Sequence, residues 1–490
     1  MLALRWPAMA GIGLSLLIMI AVSAARHSWA VPQLPRPAVG PPWVLGFSLP
    51  VPVVTIGLWA AGLLGSGGVI AGLVAVARGA RFPLWLLIGG AFVAVAVLTV
   101  LPPAGSTDAL DYAAYGRMVV LGHTPYVMTP AMLRHIGDPI GLATPQLWRN
   151  SVSLYGPLAT IEQAGAALLG GTSALRIVFW LKLCNAVAFG AVAFILDRMV
   201  RTDPARRIRA HLLWTVNPLL LWNLIAAGHL DGFAAGVGFL GLAMFSCRPG
   251  ETHPGPLRAL AAGLLVGMAV DIKISLAMFG LGLLWASRRS LRIALISAMS
   301  ALAVIVPSYA WFGPPAVTAL LSHSGMASAD SYYQLFDWAF GHRGVPIMLV
   351  VLPVLFAVAA LLLMWLPDIT PGLPAIQPVM ALSLAWLFIW PYEFPWYDAM
   401  IFCLLALYPV SRLDWLLVGR LSAATIALMP GNPLWSPPAW LTRIAQALLS
   451  YVVPGLLLVA TAVLVWLCLT RTWRIRSPDI TRQAELLTVP

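Results

Sequence analysis

Apolar residues run along this chain in blocks of about 20, the length at which a helix crosses a hydrocarbon core of roughly 30 Å. The blocks fall near residues 8–25, 53–77, 83–102, 174–196, 211–227, 232–247, 258–270, 274–287, 291–311, 345–366, 375–391, 398–411, 414–430 and 446–468. This pattern predicts an all-α polytopic membrane protein with about 13–14 transmembrane helices. The blocks between 232 and 287 are short, as broken or tilted spans are. The longest connection, 103–172, is itself apolar. Its stretch YGPLATIEQAGAALLGG (Tyr155 to Gly171) is greasy enough for a span. As a span, however, it would place Glu162 in hydrocarbon at a cost of about 2.5–3.5 kcal/mol. It reads instead as a helix lying along the membrane interface.

Composition supports the membrane class. The chain has 490 residues, of which 60% are hydrophobic and 9% charged, with a mean hydropathy of +0.89. A soluble domain carries about 25% charged residues. The net charge of +12 does not call for nucleic acid as a partner, because the basic residues gather in short loops, as the positive-inside rule requires. Those loops hold Arg78 and Arg81, the run RMVRTDPARRIR (Arg198 to Arg209), Arg288, Arg289 and Arg292, and the tail with Arg471, Arg474 and Arg476. If all face the cytoplasm, both termini do so too. Residues 1–470 then form one transmembrane domain and 471–490 a cytoplasmic tail. Pro7 to Ala25 has the basic start and small residues of a signal peptide. Ahead of so many later spans it reads as the first transmembrane helix.

Ten acids then share the outer level: Asp108, Asp111, Asp138, Glu162, Asp231, Asp271, Asp330, Asp337, Glu393 and Asp398. They come from loops far apart in sequence, which points to a site on the outer face, open to lipid. The sequence contains no phosphate-binding loop of the Walker type and no dinucleotide fingerprint. Cys184, Cys247, Cys403 and Cys468 lack zinc-site spacing and read as small apolar residues. No cofactor and no metal are expected. Acid, base and aromatic side chains at the outer interface remain, a set that suits transfer from a lipid-linked donor. A phosphate leaving group needs cations, an attacking hydroxyl needs a carboxylate, and sugar rings need aromatic faces.

Asp108 and Asp111 lie three residues apart, on one face if helical, where each raises the pKa of the other. With STD preceding the helix, Asp108 also reads as an N-cap. Lys273, His229, Arg117 and Arg149 are candidates for the donor phosphate. Lys273 reads equally as the partner of Asp271 or as a snorkelling side chain, and Asp231 reads as orienting His229 or as a loop residue. Tyr112, Tyr126, Tyr155, Trp396 and Tyr397, with Asp231 and Glu393, are candidate substrate contacts, although aromatics also gather at interfaces as belts. Lys182 lies deep in the 174–196 block, where a lysine needs an acidic partner or a shifted span boundary.

Several pieces, in order, carry a resemblance: DALDYAAYGRMVVLGHTPY, WRNSVSLYGPL (Trp148 to Leu158), NPLLLWNLIAAGHLDGFAAGV (Asn217 to Val237), GLLVGMAVDIKIS (Gly263 to Ser275) and FPWYDAM (Phe394 to Met400). Together they resemble the GT-C glycosyltransferases, and within these the polyprenol-phosphate-mannose-dependent α-mannosyltransferases of actinobacterial lipoglycan assembly. The resemblance implies a GT-C-like fold with a long first extracytoplasmic loop, 103–172, carrying interfacial helices. It implies a polyprenyl-phosphate sugar donor on the outer leaflet, a glycan or glycolipid acceptor, and inversion at the anomeric carbon. It implies an aspartate base at the position of Asp108, whereas the family more often has a small polar residue where this chain has Asp111. The expected enzyme moves mannose outside the plasma membrane. Rival readings are another lipid-linked sugar (arabinose, galactose or glucose) on the same fold, or a transporter or ligase of lipid-linked glycans. Buried midplane charges and an internal repeat would favour a transporter, and the sequence shows no such repeat.

Overall fold

The computed structural model describes residues 4–37, 39–322, 326–339, 347–367, 372–431 and 437–472. The side chain of Asp337 and residues 473–490 of the expected tail lie outside the described residues.

The chain opens with α1 (Arg5–Ala24), which runs into β1 (Ala25–His27). This short strand pairs in parallel with β2 (Leu45–Ser48). Two apolar helices follow, α2 (Val51–Ala77) and α3 (Leu84–Val100). The long connection is mostly helical: α4 (Asp108–Val120), α5 (Pro130–His135), α6 (Pro139–Ala143) and α7 (Pro157–Gly170). At 14 residues, α7 extends only about 21 Å at the α-helical rise, too short to span.

α8 (Ala174–Val200) is long. α9 (Pro204–Ala210), a π turn (His211–Thr215), α10 (Pro218–Leu220) and a second π turn (Leu221–Ala226) follow as one irregular rod. That rod bends by 113° into α11 (Asp231–Met244). α12 (Pro256–Ile272) and α13 (Ala277–Ala286) are joined by a 3₁₀ turn at Ile274–Leu276. Next come α14 (Leu291–Phe312), α15 (Pro314–Ser322), α16 (Tyr333–Ala339), α17 (Ile347–Trp365) and α18 (Ile376–Ile389). The 3₁₀ turn Pro395–Asp398 leads into α19 (Ala399–Leu405), followed by α20 (Arg412–Leu428), α21 (Ala439–Ala447) and, after a π turn, α22 (Val453–Leu469).

Every block expected to span holds helix, most of them to within a few residues. By length and apolarity, five helices among the described residues are long enough to cross a membrane, or six if the bent pair counts as one. The remainder are shorter, including α3 and α18. The short blocks between 232 and 287 are separate short helices, as their lengths suggested.

Helices meet through small residues, which let backbones approach where lipid supplies no hydrophobic drive. A Cβ on Gly263 of α12 would lie 2.3 Å from the Ser297 carbonyl oxygen of α14, and one on Gly267 2.7 Å from the Ala301 backbone. Gly116 sets α4 against α7 in the same way, since a Cβ there would lie 2.0 Å from the Gln163 carbonyl oxygen.

Among the described residues Lys182 has no acidic partner, and its span boundary is not misplaced. It sits in the middle of α8, fully buried. Its Nζ donates to the carbonyls of Leu98 (2.6 Å), Leu101 (2.8 Å) and Pro102 (3.3 Å). Leu98 and the C-cap Leu101 carry carbonyls that a helix leaves unsatisfied at its C-terminus, and Pro102 follows directly, so the ammonium caps α3 where it hands over to the Asp108 stretch.

Gly116→Ala is expected to push α4 off α7 and to lower stability by about 1–3 kcal/mol, the usual cost of overpacking. Gly165 on α7 faces open space, so Gly165→Ala is expected to raise the melting temperature of the detergent-solubilised protein slightly, since Ala is favoured over Gly in a helix interior by about 0.5–1 kcal/mol.

Candidate active site

The site is assembled around the start of α4. After Pro103 the chain is pinned by backbone bonds from Ala104 N–H to the Ala226 carbonyl (3.0 Å) and from Gly105 N–H to the Ala30 carbonyl (2.9 Å). Gly105 adopts φ +83° and packs against the Trp222 indole, where a Cβ would come within 2.5 Å of the ring. The helix begins at Asp108, one residue before the expected Ala109, and its N-cap is Thr107. Asp108 is therefore not the cap. The Ser106 hydroxyl accepts from its backbone N–H (3.2 Å), and the carboxylate is left to face the cavity.

That cavity has a volume of about 460 Å³, and Asp108, Asp111, Tyr112, Tyr155, His229, Lys273, Trp396 and Tyr397 all line it. Each of these was expected from the sequence. Most of them sit at four chain breaks: the start of α4, the bend before α11, and the 3₁₀ turns Ile274–Leu276 and Pro395–Asp398. The bend turns at Gly228, with φ +78°, whose missing Cβ leaves room for the Lys182 side chain and Ala109. One residue on, His229 stacks flat on Trp396 at 3.6 Å between centroids, and Trp396 stacks on Phe394 at 4.7 Å. The His229 Nδ1 lies 3.7 Å from Asp108 Oδ2. Its nearest acid is thus Asp108, and Asp231 is occupied elsewhere.

Asp231 holds Lys273. The Lys273 Nζ donates to Asp231 Oδ1 at 2.5 Å and sits 3.6 Å above the centre of the Tyr397 ring. The alternative partner, Asp271, is not the one used. A single carboxylate bond leaves the remaining ammonium protons available on the cavity side. Tyr112 and Tyr155 meet hydroxyl to hydroxyl at 3.1 Å, with their rings edge to face.

The two aspartates differ in setting. Asp111 is 3% exposed, and among the described residues neither of its carboxylate oxygens has a hydrogen-bond partner. Burial, with the Asp108 charge adding to it, holds its pKa well above the usual carboxylate range, and Arg149 opposes only weakly. Burial also raises Asp108, to about 6, while the Ser106 hydroxyl and the Lys273 charge pull it back. The start of a helix favours an anion there as well. Neighbouring carboxylates cannot easily ionise together, so the pair carries its negative charge on Asp108 first.

The other expected residues lie behind the cavity wall. Tyr126 donates to the Tyr155 carbonyl and meets the Thr160 hydroxyl, both at 2.9 Å, and so braces Tyr155. Arg117 is bonded to Asp138 at 2.9 Å, and Asp138 itself caps α6. Arg149 donates to the Thr144 carbonyl at 3.1 Å. Glu393 pairs with Arg420 of α20, as does Asp398.

Sequence reasoning passed over Arg420, Asn223 and Thr425, because each lies within an apolar block. Asn223 and Thr425 line the cavity, as do Trp222, Trp386 and Trp390. The signal was present in the blocks themselves, since polar residues inside a span are rare and functional by default. Among the described residues, no group of His, Cys, Asp or Glu is arranged to hold a metal ion.

The N-terminal domain model of the alpha-(1->6)-mannopyranosyltransferase family matches residues 10–289. The chain is 29% identical over 140 residues to a probable alpha-(1->6)-mannopyranosyltransferase of Mycolicibacterium smegmatis, covering 29% of this chain and 25% of that one. It is 27% identical over 145 residues to an alpha-(1->6)-mannopyranosyltransferase of Mycobacterium tuberculosis, covering 30% and 24%. A third relative, alpha-(1->6)-mannopyranosyltransferase B of Corynebacterium glutamicum, is 24% identical over 198 residues, covering 39% and 32%. The matched stretches thus span a third or less of these relatives. The crystal structure of ArnT from Cupriavidus metallidurans in the apo state covers 77% of this chain and 76% of that one, at 14% identity and a TM-score of 0.39. The same protein bound to undecaprenyl phosphate gives 0.37. Likeness at that level carries no argument.

Arg420 is 3% exposed and Asp398 fully buried. Removing one partner of a buried ion pair costs about 3–5 kcal/mol, because the other charge is stranded. Arg420→Gln is therefore expected to collapse the yield of folded protein, seen as loss of the monodisperse peak in size-exclusion chromatography. Adding Asp398→Asn and Glu393→Gln is expected to restore part of it.

Proposed function

The chain belongs to the alpha-(1->6)-mannopyranosyltransferase family, and from that premise we propose an inverting, GT-C-type mannosyltransferase of the plasma membrane. It takes mannose from polyprenyl-phosphate-mannose and adds it to a growing α-mannan or lipoglycan at the cell surface. In this reading residues 1–470 form one membrane domain, and the 103–172 connection is its outward-facing catalytic loop. The observation that carries the reading is a single cavity in which the Asp108 carboxylate and the Lys273 ammonium both face the space between them.

Inversion in one step needs a base on the side of the attacking group and charge compensation on the side of the leaving group. Asp108 serves as the base. The acceptor O–H gives its proton to the Asp108 carboxylate as the oxygen bonds to the anomeric carbon. The bond from that carbon to the phosphate oxygen breaks, and polyprenyl phosphate departs with its electron pair. Lys273, anchored by Asp231 and held over Tyr397, offers its free protons to the phosphate. Its anchoring matters, since a mobile lysine would have to be ordered at each turnover.

His229 takes a different part from the phosphate contact expected of it. It lies flat on Trp396 with Nδ1 3.7 Å from Asp108 Oδ2, beyond hydrogen-bond distance, so it walls the cavity beside the base. Asp111, kept protonated by its surroundings, donates a hydrogen bond to a substrate hydroxyl. Trp396 and Tyr397 bound the space for the sugar ring, and Tyr112 with Tyr155 closes its other wall. Arg117, Arg149, Tyr126 and Glu393 act on the site through the backbone and side chains they brace.

Membranes containing the protein, supplied with labelled polyprenyl-phosphate-mannose and a short α-mannoside, are expected to transfer label to the acceptor. Loss of a general base costs about 10²–10⁴-fold, so Asp108→Asn is expected to fall by that factor, and Asp111→Asn by far less. A full loss in Asp111→Asn with Asp108→Asn active would move the base to Asp111. No transfer from this donor would discard mannose.

The rate should also follow the ionisation of Asp108. The base works as the anion, and its raised pKa of about 6 means that activity is present above that pH and is lost as pH falls through it. An ordinary aspartate would hold activity down to about 4. A pH–rate profile of kcat/KM with its acid limb near 6 is expected, and a limb near 4 would contradict the assignment.

A further inference from the structure

One stretch of the cavity lining has no part in the chemistry described above. It lies where the second π turn, Leu221–Ala226, meets α20. The Ala227 N–H bonds back to the Trp222 carbonyl at 2.9 Å, five residues away, and this wide turn brings Trp222, Asn223 and Ala227 to the cavity wall. Single π turns inside helices fall frequently at functional sites. Here Asn223 reaches α20, its Nδ2 donating to the Thr425 hydroxyl at 2.9 Å and to the Leu219 carbonyl.

The pair is buried, with Asn223 at 5% and Thr425 at 1% exposure, yet both border the cavity. The chemistry of the two groups leaves complementary capacity. The Thr425 oxygen accepts from Asn223 and keeps its own proton to donate, and the Asn223 Oδ1 remains an acceptor. A donor beside an acceptor is what a sugar hydroxyl requires. The surroundings are neutral: Gly105, Trp222, Leu428 and Gly431, with the indole as a flat face. Gly431, at φ +108°, closes on Gly105 so tightly that a Cβ there would lie 2.2 Å from the Gly105 carbonyl oxygen.

Among the described residues that line the cavity, Lys273 is the only lysine or arginine, and the polar pair and its neighbours are neutral, so they do not suit a phosphate. The pair adjoins the stretch Gly105–Ser106 that leads into Asp108, and therefore lies on the side of the base. We infer that Asn223 and Thr425 form the subsite for the acceptor, holding the hydroxyls of an uncharged sugar ring whose attacking oxygen reaches Asp108. This rests on the transferase reading above and adds to it where the acceptor sits.

The test is a pair of titrations, of acceptor at saturating polyprenyl-phosphate-mannose and of donor at saturating acceptor, with Thr425→Val, which removes the hydroxyl, and Asn223→Leu, which removes the amide, each close in shape to the residue it replaces. Loss of a neutral hydrogen bond corresponds to about tenfold in affinity. The acceptor KM is expected to rise about that much, with the donor KM held, and Thr425→Ser is expected to recover most of the loss. A rise in donor KM instead would assign this stretch to the lipid-linked sugar and overturn the inference, as would no change in either. Calorimetric binding of a short α-mannoside to Asp108→Asn protein, with and without Thr425→Val, reads the same subsite without turnover. Failure of the wild type to transfer any sugar would strike the proposed function. Failure of Thr425→Val to weaken binding would strike this subsite alone.

Discussion

The ammonium of Lys182 rests on three carbonyls at and just past the end of α3, and the rest of the site is arranged around that cage. The last turn of α3 is followed directly by two prolines and then by the stretch that starts α4. In an apolar interior a helix end cannot leave its carbonyls bare, so something must come to them, and α8 brings a lysine. The same lysine packs its methylenes against Gly228 at the bend before α11. Three residues further along α8, on the same face, Asn185 accepts from the Phe233 N–H at 2.9 Å. A single face of α8 therefore fixes both the chain entering Asp108 and the turn carrying His229.

The charges obey the same constraint. An unpaired ion in a medium of low polarity is too costly to keep, so each buried cation is held. Arg420 is held by Glu393 and Asp398, Arg209 by Asp414 and two carbonyls, and Lys273 by Asp231 and the Tyr397 ring. Asp111 is the contrast, a carboxyl buried with no hydrogen-bond partner among the described residues. The economical state for it is protonated. Asp108 differs because it opens a helix, faces the cavity and feels Lys273. Two acids three residues apart are thus set apart by their surroundings, with Asp108 the first to ionise.

Much of this was legible in the chain. The apolar blocks located the helices because hydropathy over about 20 residues is a property of the segment alone. The cavity residues Asp108, Asp111, His229, Lys273, Trp396 and Tyr397 were legible because polar and aromatic groups stand out where the blocks break. Arg420, Asn223 and Thr425 were hidden, because a block-level average conceals one polar residue among many apolar ones. Arg117 drew attention as a cation in the right loop, yet its partner is Asp138. The pairing of Lys273 with Asp231 instead of Asp271 was equally closed to view, since Asp271, two residues away, is the obvious candidate until the chain is folded.

Taken alone, the sequence determined the class, the helices and the breaks between them, and it set the two aspartates on one helical face. Those are consequences of local composition and spacing, which need no partner. Only the tertiary structure decided which charge meets which, that Lys182 caps a distant helix, that His229 turns towards Asp108, and that Asn223 and Thr425 meet across 202 positions. Such outcomes depend on which surfaces are buried together. A charge in a dry interior is governed by the atoms within a few ångströms of it, whatever their distance along the chain.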